Sequence, residues 1–131
     1  MRPNMTLPAT PLQSGASGSA LAVAGTFASL ALFLSLTAHI AARNVLGDVP
    51  VKYAFVVGPI PAAIAVVVTT FELNSYLGVF VAIILDGVAV KYLYGQSNRL
   101  SGYITFIHVI VSIIIGTVLY ALLALLSTAP V

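Results

Sequence analysis

Apolar residues run almost without interruption along most of this chain, and the charged ones fall between the runs. No Asp, Glu, Lys or Arg occurs over residues 3–42, 53–71 or 100–131. A helix crossing the hydrocarbon of a bilayer needs about 20 mostly apolar residues. The gaps predict helices near 20–42, 51–71 and 103–126. Continuous apolarity favours helix over the alternating pattern of a barrel strand.

A further helix is expected at 75–94, although Asp86 interrupts it. Ten Leu, Ile, Phe or Val residues lie between Tyr76 and Tyr94. They contribute roughly −3 to −6 kcal/mol to insertion, against about +2.5 to +3.5 for a central Asp. Lys91 sits near the end, where its head can reach the interface. The balance favours insertion, and the expected fold class is all-α: an integral membrane four-helix up-down bundle. Short connections favour antiparallel neighbours.

Composition agrees. Of 131 residues, 60% are hydrophobic and only 6% charged, whereas about a quarter are charged in an ordinary soluble domain. The chain has no Cys, which excludes disulfides and thiolate chemistry. A net charge of +2 lacks the clustered cations that nucleic acid requires.

Residues 1–18 carry Pro3, Pro8 and Pro11 among Gly, Ser and Thr and read as a disordered external tail. The four-helix domain is then 19–131. Four of the five Lys/Arg residues lie in or beside the 43–52 and 91–99 loops. The positive-inside rule makes those loops cytoplasmic and both termini external.

Small residues at helical spacing let membrane helices approach closely. The first helix offers Ala24, Ala28, Ala31, Ser35, His39 and Ala42; the second offers Ala54, Gly58, Ala62, Ala65 and Thr69. The last presents Thr105, His108, Ser112 and Gly116 on one face, with Ile107, Ile110 and Ile114 directed towards lipid.

Ionisable groups within the spans gather in the cytoplasmic half. At 1.5 Å per residue, His39 lies about 5 Å, His108 about 7 Å and Asp86 about 12 Å from the nearest helix end. Gly58, Pro59 and Pro61 fall in the same half, and the prolines deprive carbonyls near 55 and 57 of their usual donors. An ionisable residue deep in a span is a functional candidate. Asp86, His108 and His39 are therefore candidates for ion or proton handling, and Gly58, Pro59 and Pro61 for a helix break. Simpler roles compete: interfacial placement for the histidines, a kink for the prolines, an interhelical hydrogen bond for Asp86.

The segments His39–Asp48, Gly58–Ala63, Asp86–Val90 and Thr105–His108 resemble those of an uncharacterised family of small haloarchaeal multi-pass membrane proteins. The resemblance implies an archaeal cell membrane and no known activity.

Two functions fit. One is proton, ion or small-solute handling through the polar cluster, with self-association expected for so small a transporter. The other is a non-catalytic accessory or assembly subunit of a larger membrane complex. The expected partners are the lipid bilayer and either further copies of the chain or a larger membrane protein. A haem between His39 and His108 lacks basic partners for its propionates, so no cofactor or metal is expected. No zinc-protease, phosphate-loop or dinucleotide motif occurs, so an enzyme is not expected.

Overall fold

A computed structural model describes residues 9–129, with side chains from Ser19 onwards. It is all-helical. Helix α1 spans Ala9–Leu46, α2 Ala54–Val57, α3 Pro59–Thr70, α4 Ser75–Tyr94 and α5 Asn98–Thr128. A 3-10 turn, Val51–Tyr53, leads into α2. Four segments are long and apolar enough to cross a membrane: Ser19–Leu46, Val51–Thr70, Ser75–Tyr94 and Asn98–Thr128.

The helix boundaries follow local chemistry. Asn74 caps α4, its Oδ1 accepting from the Tyr76 and Leu77 amides at 2.9 and 3.2 Å. Gly95 ends α4 in the left-handed region, with φ 65°, a common helix stop. Ser97 then caps α5 by accepting from the Leu100 amide at 3.2 Å. In the turn before α4, Glu72 is the one non-glycine residue at positive φ, 52°, among the described residues.

Two expected boundaries shift. Helix α5 begins at Asn98 rather than 103, because the Ser97 cap starts it early. Helix α1 begins at Ala9, so the helical backbone runs through 9–18, where a tail was expected. Pro11 falls in the first turn, where its missing N–H costs nothing. The rest of the expected tail, residues 1–8, lies outside the described residues.

The segment Val51–Thr70 stays helical through its glycine and prolines. Gly58 has φ −58° and ψ −44°, and its amide bonds to the Ala54 carbonyl at 2.9 Å. Pro59 and Pro61 occupy the first turn of α3. The carbonyls of Phe55 and Val57 lose their i+4 donors, while the chain direction continues.

Helix α1 packs against α2, α3 and α5, and α4 packs against α3 and α5. The buried core is Ala38, Ala41, Ala42, Ala54, Val57, Val90 and Ile104. It lies towards the ends of the helices that carry the 47–50 and 95–97 connections. Ile107, expected to face lipid, is half-buried against this core. Ile110 and Ile114 are exposed, as expected.

Two glycines set the helix separations around the core. A Cβ on Gly58 would lie 2.2 Å from Ser35 Oγ and 2.3 Å from the Ser35 amide nitrogen. Backbone therefore rests on backbone where α1 crosses this segment. A Cβ on Gly87 would lie 3.3 Å from Thr105 Oγ1, so α4 and α5 also meet closely. This second crossing is one residue from Asp86.

Candidate functional site: a buried aspartate–histidine pair

Asp86 and Val90 fall on the buried face of α4; Ser101, Ile104, Thr105 and His108 fall on that of α5. The Gly87 contact draws these faces together. His108 Nδ1 lies 2.7 Å from Asp86 Oδ2, with both side chains 4% exposed. The geometry joins two of the three ionisable candidates from different helices.

The other ring nitrogen faces α1. His108 Nε2 lies 3.1 Å from the Leu34 carbonyl oxygen and 3.1 Å from Thr37 Oγ1. Thr37 Oγ1 is in turn 2.8 Å from Ser112 Oγ on α5, where either hydroxyl can donate. It also reaches back to the Leu34 carbonyl at 3.2 Å. A continuous hydrogen-bonded chain thus runs Ser112–Thr37–His108–Asp86 across three helices.

Donor and acceptor accounting constrains the protons in this chain. A carbonyl oxygen only accepts, so the bond to Leu34 requires a hydrogen on Nε2. The 2.7 Å contact between Nδ1 and Oδ2 requires another hydrogen between them. The pair therefore holds two protons, either as carboxylic acid with neutral imidazole or as carboxylate with imidazolium. Both arrangements are uncharged overall. A lone buried carboxylate would cost several kcal/mol of desolvation; the carboxylic acid with neutral imidazole avoids that cost, and the ion pair offsets it by the attraction across the 2.7 Å contact.

One acceptor stays open. Asp86 Oδ1 is buried without a hydrogen-bond partner. Buried oxygens are rarely left so.

The remaining candidates lie apart. His39 is half-buried on α1, its Nδ1 buried without a partner. It sits about 200° round the helix from Thr37, at 100° per residue, so it does not face the same neighbours. Gly58 meets Ser35, and Pro59 and Pro61 follow it into α3. None of the three is hydrogen-bonded to the pair. Lys91 donates to Asn98 Oδ1 at the loop end, away from Asp86. Thr37 was absent from the sequence-derived candidates, and Ser112 figured only as a packing residue. The available signal was depth, since both hydroxyls fall at the level of the charged candidates.

Four helices long and apolar enough to cross a membrane, with a buried acid–base pair between two of them, make the chain compatible with a membrane protein. Residues 17–130 match the model of DUF7473, a family of unknown function, and the chain belongs to that family. This agrees with the expected membership of an uncharacterised family. No curated protein and no solved structure matches the chain.

Proposed function

We propose that the protein is a four-helix, up-down bundle of the cell membrane that handles protons through Asp86 and His108, with both termini external. The connected chain Ser112–Thr37–His108–Asp86, ending on an open carboxyl oxygen, is the observation that carries this reading. Its motif resemblance to small haloarchaeal proteins supports an archaeal membrane.

The chemistry balances as a relay. A proton arriving at Asp86 Oδ1 displaces the one shared between Oδ2 and Nδ1 towards His108. The His108 Nε2 proton then passes to Thr37 Oγ1, Thr37 passes its own to Ser112 Oγ, and Ser112 gives up its own to water beyond it. Rotation of the hydroxyls resets Thr37 and Ser112, and a turn of the imidazole ring together with rotation of the Asp86 carboxyl resets the pair.

The test is proton flux into vesicles that hold the protein and an internal pH dye, driven by a potassium diffusion potential. Native protein should acidify the lumen faster than empty vesicles, and Asp86→Asn and His108→Gln should abolish the difference. Flux equal to empty vesicles for native protein would sink the proposal and return the chain to the accessory-subunit reading.

A further inference from the structure

Helix α5 carries two features on the surface that it turns away from the bundle. Its first turns bury Ser101, Ile104 and Thr105. Arg99 and Tyr103 stand two residues before and two after Ser101, about 200° round the helix at 100° per residue. Both are exposed. With Ser97 and Leu100 they line one shallow concavity.

The polar side chains there are equipped to donate. Ser97 Oγ accepts from the Leu100 amide at 3.2 Å and keeps its own hydrogen to give. The Arg99 guanidinium has N–H donors and no acceptor, and the Tyr103 hydroxyl can donate. Lys91 adds charge, since its ammonium bonds to Asn98 Oδ1, on the residue before Arg99. Neither cation is balanced by a carboxylate: the ion pairs among the described residues are Arg43–Asp48 and His108–Asp86. A phosphate, which offers mainly acceptors, complements this set, and arginine can hold it through two parallel bonds.

An apolar groove begins beside the concavity. Ile83, Ile84 and Gly87 on α4 face Gly102, Phe106 and Val109 on α5 across about 340 Å³, with Thr105 also in its wall. Gly102 is next to Tyr103 in the chain, and nothing lies within 4 Å of where its Cβ would be. From Arg99 to Val109 the two features extend about 15 Å along α5 at 1.5 Å per residue, from its first turn towards the middle of the apolar run. Charge at the end of a span and apolar length below it match a lipid better than a soluble anion.

We infer that this face of α5 seats one anionic phospholipid, its phosphate held by Arg99, Ser97 and Tyr103 and one hydrocarbon chain lying in the α4–α5 groove. The chain then passes over Gly87, the neighbour of Asp86. Such a site is independent of what the buried pair does with protons.

The test extracts the protein in mild detergent from vesicles of equal phosphatidylglycerol and phosphatidylcholine and identifies the retained lipid by native mass spectrometry. One phosphatidylglycerol per chain should be kept, with at least about tenfold preference over phosphatidylcholine, equivalent to about 1.4 kcal/mol. Arg99→Gln should bring the preference close to one. Arg99→Lys keeps the charge without the paired bonds and should fall between. Arg43→Gln removes the same charge, but that arginine is paired with Asp48, so the preference should stand. Gly102→Leu fills the mouth of the groove, where a Cβ meets nothing, and should release the lipid although Arg99 remains. Inorganic phosphate has the headgroup's chemistry and no chain, so adding it should not displace the lipid. Four results overturn the inference: no preference in the native protein; an equal loss with Arg43→Gln, which would mean attraction by net charge alone; full retention in Gly102→Leu; or displacement by inorganic phosphate, which would make the seat one for a soluble anion.

Discussion

The two halves of the bundle have similar apolar composition and very different packing. Around the pair, α1 buries Ala31, Ser35, Thr37, Ala38, Ala41 and Ala42, and α5 buries Ser101, Ile104, Thr105 and His108. In the other half, every residue from Ser19 to Thr26 on α1 and from Thr117 to Ala129 on α5 is exposed. Hydrophobicity cannot account for the difference, because that outer part of α5 is rich in Leu. Small residues and hydroxyls can. Between helices in lipid, close approach and hydrogen bonds decide association, since lipid tails solvate Leu as well as protein does. The tight half has Gly58 on Ser35, Gly87 near Thr105 and the Asp86–His108 bond. The open half has Gly78 on Val68, and nothing lies within 4 Å of where a Cβ on Gly25 would be.

The sharpest way to break this contrast is Gly58→Ala. The new methyl meets Ser35 backbone on α1, which cannot rotate away, so the crossing must open. A loss near the upper end of overpacking costs, about 3 kcal/mol, is expected in a denaturant titration of the protein in bicelles. A loss under about 0.5 kcal/mol would show that the crossing is loose.

A smaller effect should appear in the double-mutant cycle of Asp86→Asn with His108→Gln. Interhelical hydrogen bonds in membranes average about 0.6 kcal/mol and reach about 1.7. Coupling of about 1–1.7 kcal/mol is expected here, because the bond is short, buried and between ionisable groups. A value at or below the average would make the pair an ordinary packing contact.

Gly78→Ala should show the least. Its methyl would lie 2.6 Å from Val68 Cγ2, the free end of a side chain that can turn. The rotamer cost of about 0.5–1.5 kcal/mol is offset by the roughly 1 kcal/mol helix preference of Ala over Gly. A net change within about 0.5 kcal/mol is expected from the same titration. A loss matching that of Gly58→Ala would mean that both halves are equally tight.

The four helices were legible because charges mark their ends: Arg43 and Lys52, Glu72, Lys91 and Arg99. Asp86 and His108 were legible as candidates because ionisable groups inside apolar runs are conspicuous. Their pairing was not, and neither was the choice of Thr37 over His39. That choice depends on how α1 is rotated about its axis. A helix apolar on nearly every face carries no amphipathic signal to set such a rotation. Here the Gly58–Ser35 crossing sets it, a contact between residues with almost no side chain. The start of α1 at Ala9 escaped for another reason: three prolines suggest an irregular segment, yet Pro11 is harmless in a first turn.

Helices α4 and α5 differ in length as well as in packing. At 1.5 Å per residue, α4 is about 30 Å long, close to the thickness of bilayer hydrocarbon. The apolar run Tyr103–Leu126 of α5 is about 36 Å. Both cannot match one bilayer while standing upright. In a bilayer that α4 spans upright, α5 would lean, kink or thicken the lipid around it to bury its full run. Such a lean, pivoting at the Asp86–His108 bond, carries the far end of α5 away from its neighbours. A thicker bilayer would draw the far end of α5 towards α1, and a thinner one would carry it further away.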